Sequence, residues 1–192
     1  MKKIAIFASG SGSNAEAIIR HFAASPLARV TLLLSNNPEA YALTRAANLG
    51  VETVLFDRRV FNAPEMSELL VSHEVDFVVL AGFLWLVPPA LVEAYRNRIV
   101  NIHPALLPAY GGKGMYGDRV HRAVLEKGEK ESGITIHRVN EVYDSGDILA
   151  QYRLSVRPND TPETLAVRIH ELEHRYFPLV IEEEIRRLSE NA

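Results

Sequence analysis

The strongest constraint on the fold is an alternation that runs through the first hundred residues. Short apolar runs at 4–8, 30–34, 53–56 and 76–81 are separated by stretches with helical spacing at 14–24, 40–49 and 65–72. The run at 4–8 is continuous rather than alternating, as in a strand buried on both faces. Strands separated by helices of this length imply βαβ units joined by right-handed crossovers. The chain is therefore expected to be an α/β protein, with a doubly wound, mostly parallel twisted sheet and helices on both faces in a Rossmann-like arrangement. Further elements follow at 88–95 (helix), 99–100 (the end of a strand), 119–127 (helix), 133–139 and 148–156 (strands). The last helix opens with Thr161 as N-cap and Pro162 at its first position. Leu165, Ile169, Leu172, Tyr176 and Leu179 should face the sheet, and Pro178 should kink or divide the helix. No repeat, low-complexity tract or linker divides the 192 residues, so a single domain over 1–192 is expected.

In open α/β sheets ligands gather at the carboxyl ends of the strands. Three segments stand at such ends and should line one cleft. The first, Ser9-Gly10-Ser11-Gly12-Ser13-Asn14, leads into a helix whose free N–H groups and dipole suit a phosphate. It satisfies a relaxed dinucleotide fingerprint, but the second strand ends in Ser35-Asn36-Asn37 and lacks the carboxylate that would grip a ribose. No Lys-Ser/Thr pair follows the glycines either, so a phosphate monoester fits better than a dinucleotide. A tight turn with no ligand is the plain alternative. The second segment, 82–87, is apolar with one glycine and could wall in a flat ring or simply pack beneath the next helix.

The third segment is Asn101-Ile102-His103-Pro104-Ala105-Leu106-Leu107-Pro108. In an extended chain Asn101 and His103 share a face while Ile102 points back into the protein. A carboxamide can donate to a developing oxyanion and an imidazole can exchange a proton near neutral pH, which is equipment for acyl chemistry. The same pair could equally be polar groups satisfied by neighbouring backbone. Downstream, the glycine-rich stretch 110–117 is expected to form a flap. His137 falls on an alternating strand, Asp144 lies in a turn, and His170 and Glu173 are three apart on the last helix. Asp144 is a local turn residue unless it converges on His103, in which case it would raise the imidazole pKa and orient the ring.

Composition narrows the partners. Lys and Arg number 21 against 24 Asp and Glu, and a net charge of −3 offers no general attraction for nucleic acid. With no cysteine, thiolate metal sites and cysteine nucleophiles are excluded. No residue cluster has metal-ligand spacing. No stretch reaches the roughly 20 apolar residues of a membrane span, and the first residues are too short an apolar run for a signal peptide. A cytoplasmic protein acting on small molecules is expected.

The first turn, Leu80-Ala81-Gly82-Phe83, the 101–108 motif and the Asp144 turn together resemble, in order and spacing, the folate-dependent formyltransferase family. Within it they are most similar to the branch that formylates glycinamide ribonucleotide. The resemblance spans essentially the whole chain and implies that family's α/β fold. It implies Asn101, His103 and Asp144 as the catalytic set, with Gly12, Ser13 and Asn14 holding the phosphate of glycinamide ribonucleotide. His170 and Glu173 would approach its ribose and glycyl amine. Leu84, Trp85, Leu86 and Val87, with Asn101 and with Asn140, Glu141, Val142, Tyr143 and Asp144, would enclose the pterin of the co-substrate 10-formyltetrahydrofolate. The chain departs from the family at Trp85, where an arginine is common, and an arginine expected near 62–65 is absent. The stretch 111–114 also differs from the shorter Pro-Gly version found in relatives of this type.

The expected chemistry is direct formyl transfer without a covalent enzyme intermediate and without a metal. The glycyl amine attacks the formyl carbon, Asn101 and protonated His103 stabilise the oxyanion, and Asp144 keeps His103 charged. A formyltetrahydrofolate hydrolase would use the same residues with water as acceptor. A transferase for an amino sugar or a tRNA would need a different first turn, and a nucleotide-binding module would need the glycine turn alone.

Overall fold

Alternate residues of the first strand feed two different cores. In the computed structural model, which describes residues 1–190, β1 (Lys2–Phe7) sends Ile4 and Ile6 into one apolar cluster and Ala5 and Phe7 into the other. A strand buried on both faces needs no polar alternation, which is why its sequence is continuously apolar. Around it the sheet has seven strands in the order β3-β2-β1-β4-β5-β6-β7. β2 (Ala28–Ser35), β3 (Glu52–Leu55), β4 (Phe77–Leu80) and β5 (Ile99–His103) are parallel to β1. β6 (Glu131–Arg138) and β7 (Ile148–Ser155) continue the sheet antiparallel. The expected doubly wound, mostly parallel sheet is the observed one.

One face is covered by α1 (Ser13–Phe22), α2 (Tyr41–Asn48), α6 (Asp118–Glu126) and α7 (Pro162–Glu190). The other carries α3 (Arg58–Phe61), α4 (Pro64–Ser72) and α5 (Pro89–Ala94), built over Phe61, Met66, Leu70 and Leu91. The single turn α3 is absent from the sequence expectation because four residues carry no readable periodicity. Asp57 caps it, its Oδ1 accepting from Val60 N at 2.8 Å.

Of the two outcomes expected at Pro178, division does not occur: the residue is buried within a continuous α7. The apolar stripe keeps a four-residue step through Leu165, Ile169, Phe177, Ile181 and Ile185, all buried, whereas Leu179 is 49% exposed. Glu173 holds the position between Ile169 and Phe177 in that stripe. A carboxylate is therefore carried into the interior at the end of the sheet where the strands terminate.

The antiparallel pair β6 and β7 depends on Gly133, which lies opposite Arg153. A Cβ there would overlap the carbonyl oxygen of Tyr152 and stand 2.7 Å from Cδ2 of Leu106. Gly133→Ala is expected to destabilise the protein by about 1–3 kcal/mol, the usual cost of overpacking. A urea unfolding curve should show a lower midpoint with unchanged slope.

Candidate active site

The strand ends meet in a cavity of about 560 Å³. Its wall takes in all three expected segments, at 9–14, 82–87 and 101–104, together with the loop 112–119, the turn around Asp144 and the inner side of α7. The first turn is held from behind. Ala42 N donates to the Gly10 carbonyl at 3.1 Å, and Ser9 Oγ donates to Asn36 Oδ1 at 2.7 Å. Gly12 caps α1 with φ +74°, and a side chain there would collide with Ala42. No side chain caps α1, so the N–H groups of its first turn are open to a ligand.

Register places the chemistry on β5. Asn101 lies opposite His137 and His103 opposite Thr135 on β6. His137 Nδ1 is 2.9 Å from the Arg138 carbonyl and so carries the proton, leaving Nε2 to accept from Asn101 Nδ2 at 3.0 Å. The second amide hydrogen of Asn101 remains for the cavity and Asp144, whose Oδ1 is 3.5 Å away. His103 Nε2 donates to the Tyr110 carbonyl at 2.7 Å, which turns Nδ1 toward Asp144 Oδ2 at 3.6 Å. Asp144 also accepts from Gly112 N at 2.9 Å and lies 3.6 Å from His137 Nε2. Asp144 is thus not merely a turn residue.

Burial decides the resting charges. His103 is only 4% exposed, and desolvation pulls its pKa below the ordinary value although Asp144 and the Tyr110 carbonyl push the other way. Burial also raises Asp144, but His137 and His103 in their protonated forms, with the Gly112 N–H, outweigh it and hold the carboxyl below its usual range. The free site therefore favours a carboxylate beside a neutral imidazole. The expected standing charge on His103 is replaced by a ring ready to take a proton.

On the other side of the cavity Glu173 is buried, and its Oε2 accepts from Asn14 Nδ2 at 2.7 Å. His170 Nδ1 lies 2.8 Å from the same oxygen, and that contact raises the pKa of His170. The side-chain N–H of Asn14 is thus committed to α7, while its backbone N–H belongs to the uncapped first turn of α1.

At the opposite wall, Phe83 and Trp85 line the cavity and are backed by Phe7, Phe56 and Phe61; Phe56 and Phe61 stack at 5.3 Å, and the other pairs meet edge to face or tilted with centroids 5.2–6.2 Å apart. Leu84 and Leu86 stay exposed on the cavity rim, and Val87 is buried at its base. Asn140, Val142, Tyr143 and Asp144 line the cavity, but Glu141 is exposed and outside the lining. Asn140 Oδ1 accepts from Val142 N at 2.9 Å, a local turn that tips Glu141 outward. Among the described residues no group of three or more His, Asp and Glu is disposed to hold a metal ion, and no helix is long and apolar enough to cross a membrane.

Residues 2–181 match the family described as formyl transferase. The chain belongs to the formyl transferase family. It is 45% identical over 187 residues to a chloroplastic phosphoribosylglycinamide formyltransferase of Arabidopsis thaliana, covering 94% of this chain and 64% of that protein. It is 37% identical to the phosphoribosylglycinamide formyltransferase of Bacillus subtilis, over 95% of this chain and 94% of the relative. The crystal structure of the Bacillus halodurans phosphoribosylglycinamide formyltransferase superposes with a TM-score of 0.86 at 39% identity, covering 95% of this chain and 94% of the other.

Against this formyl transferase frame, two residues were outside the expected set. Arg58 stacks 4.3 Å over the Trp85 ring, putting a guanidinium on the aromatic wall where the sequence offered none near 62–65. His121, buried on α6, lines the cavity. A heptad plot of α6 would have placed His121 beside Val124 on the inner face.

The coupling of Asp144 to His103 has a directional test. A carboxylate favours the imidazolium, so Asp144→Asn removes the strongest influence opposing burial. The His103 titration midpoint, followed by NMR, should move to lower pH than in the parent. A midpoint that stays put or rises would show that the two groups do not interact.

Proposed function

We propose that the chain transfers a formyl group from 10-formyltetrahydrofolate to the glycyl amine of glycinamide ribonucleotide, giving formylglycinamide ribonucleotide and tetrahydrofolate, a step of purine biosynthesis. The observation that carries this reading is the convergence of Asn101, His103 and Asp144 on one cavity whose other end is the open N-terminus of α1. Membership of the family and the names of the relatives support it.

The phosphate sits on the backbone N–H groups of Gly12, Ser13 and Asn14 in the positive end of the helix field. The Asn14–Glu173–His170 hydrogen bonds position the carboxylate for the ribose hydroxyls, and His170, charged more readily than a free histidine, adds positive potential on the nucleotide side. The pterin lies between the rim 84–87 and the turn 140–144, with its N10 toward Asn101.

The neutral glycyl amine attacks the formyl carbon and a C–N bond forms. The carbonyl oxygen becomes an oxyanion that accepts from the Asn101 N–H otherwise turned to Asp144, and the amine nitrogen becomes cationic. His103, neutral at rest, takes part in moving that surplus proton to N10, directly or through a water. Asp144 stabilises the imidazolium while it lasts. The bond from carbon to the protonated N10 then breaks, and the formamide and tetrahydrofolate leave.

Loss of one oxyanion donor typically costs about 10²–10³ in rate. Asn101→Ala should therefore lower kcat by about 10²–10³ with little change in KM for either substrate, and turnover within a few-fold of the parent would remove Asn101 from the oxyanion site. The reaction itself is tested by following tetrahydrofolate release with and without glycinamide ribonucleotide, with His103→Ala as control. Strict dependence on the ribonucleotide, lost in the control, is expected, whereas equal rates with formate released would mean a hydrolase.

A further inference from the structure

His103 is oriented by a residue that the mechanism above does not use. Its Nε2 donates to the carbonyl of Tyr110 at 2.7 Å, which fixes the tautomer and leaves Nδ1 to face Asp144. Tyr110 presents that carbonyl from a left-handed backbone conformation, with φ +57°. Glycine enters this region freely and Asn or Asp at modest cost, whereas a tyrosine is strained there. A bulky residue kept at such a position calls for a task for its side chain.

That side chain is held at both its ring and its hydroxyl. The ring packs against the apolar cluster that includes Val124 of α6, and Lys127 Nζ lies 5.9 Å from its centroid. The hydroxyl donates to Glu129 Oε1 at 2.6 Å, a bond strengthened by the charge of its acceptor. Glu129 follows α6, and its own N–H donates to the Val124 carbonyl at 3.2 Å, so the carboxylate is carried on a fixed helix end. Tyr110 and Glu129 thus stand at the two ends of an excursion made of the glycine-rich stretch 111–117 and α6, and their bond ties those ends together. Desolvation and the Glu129 carboxylate push the phenol pKa up to about 12, so the donor keeps its proton at neutral pH.

We propose that Tyr110 is a positioning residue for His103, its hydroxyl bond to Glu129 holding residue 110 in the left-handed conformation that aims the carbonyl at Nε2. Relaxation of Tyr110 toward the extended region would turn the peptide plane that bears this carbonyl and free the imidazole to rotate or to change tautomer. The clasp also stands between the ring and the four glycines of 111–117, so that movement of that stretch leaves the carbonyl in place. Tyr110 touches no substrate. Its effect on turnover rests on the function proposed above, whereas its effect on the state of the ring does not.

The test uses the full chain and reads the ring as well as turnover. Tyr110→Phe keeps the aromatic packing and removes only the hydroxyl, Glu129→Ala removes the acceptor from an exposed position, and Glu129→Gln keeps an acceptor oxygen. The Tyr110 carbonyl raises the His103 pKa, so the His103 midpoint followed by NMR without ligands should fall in Tyr110→Phe and in Glu129→Ala. Above that midpoint the ring-nitrogen shifts should pass from the Nε2–H form to a mixture of tautomers. With both substrates present, kcat should fall about 3- to 10-fold, the worth of one hydrogen bond, while each KM stays within about twofold. Glu129→Gln should restore most of the loss, and the double variant Tyr110→Phe/Glu129→Ala should be no worse than either single one, as for two ends of one interaction.

Parental ring signals in Tyr110→Phe and Glu129→Ala would overturn the assignment, even if activity and Tm both dropped, because the residue would then be a scaffold only. So would altered ring signals with parental kcat in an active protein, or a change in Tyr110→Phe that Glu129→Ala does not share. If Tyr110→Phe does not fold, the two Glu129 variants decide, since a lowered midpoint in Glu129→Ala with a parental one in Glu129→Gln supports the clasp and any other pattern overturns it. A parent protein that does not formylate glycinamide ribonucleotide would sink the functional assignment and leave the ring measurements to decide the clasp. An active parent with unaffected variants would sink the clasp alone.

Discussion

The antiparallel pairing of β5 with β6 fixes nearly everything in the reacting half of the site. Because Asn101 lies opposite His137, the carboxamide finds an acceptor for one hydrogen and keeps the other for the cavity. Because His103 lies opposite Thr135, the hydroxyl of that fully buried threonine sits beneath the chain that follows β5. Thr135 Oγ1 donates to the Ala105 carbonyl at 2.7 Å and accepts from Leu107 N and from Gln151 Nε2, each at 2.9 Å. A hydroxyl has one donor and two acceptor positions, so this one is saturated. A slip of one residue in this register would turn His137 and Thr135 to the opposite face and leave both the amide and the 104–107 segment without partners.

The carboxylate reaches the same point by a costlier route. Asp144 has φ +52°, a left-handed conformation that Asp tolerates better than most residues but that still stores strain. Its neighbour Gly146 packs so closely on the Arg138 carbonyl that no side chain could stand there. Gly111 lies against Leu107 and Asp144, where a Cβ would be 2.5 Å from Leu107 Cδ2 and 3.2 Å from Asp144 Cβ. Removing those side chains lets the glycine-rich loop close on the turn, so that Gly112 N can donate to Asp144. The loop therefore acts first as a support for the carboxylate, whatever motion it also undergoes. Arg138 anchors the base of the same turn through Glu184 of α7 at 2.7 Å.

What the sequence disclosed follows from the range of the interactions involved. Periodicity is local, so the strands, the long helices and the shared face of Asn101 and His103 could be read directly. The presence of Asp144 at His103 depends on a contact 41 positions away, and turn composition alone left it an ordinary turn residue. The burial of Glu173 was legible in principle, since it falls on the four-residue stripe of α7. Leu172 and Tyr176 do pack at the flank of that face, but following them on to Leu179, which is exposed, displaced the centre of the stripe and hid it. Glu141 came with the 140–144 stretch that the resemblance implied, and its side chain is exposed. Arg58 was missed because α3 is one turn long and its partner, Trp85, lies on another segment.

Desolvation sorts the charges within this cavity more than pairing does. His103 and His121 are buried deeply enough that both are pulled toward the neutral form, despite carboxylates nearby. His170, half exposed, is moved in the other direction by the same Glu173. A gradient results, with readily formed positive charge at His170 beside α1 and a neutral imidazole at His103 beside Asn101 and Asp144. A permanent imidazolium at the reacting end would favour an anion there before any oxyanion exists and would repel the positive charge that develops on the attacking amine. A neutral ring beside a carboxylate carries neither penalty, yet can hold a proton once the tetrahedral adduct supplies one. The separation of charge across the cavity thus fits the order in which charge would appear in the formyl transfer proposed for this chain.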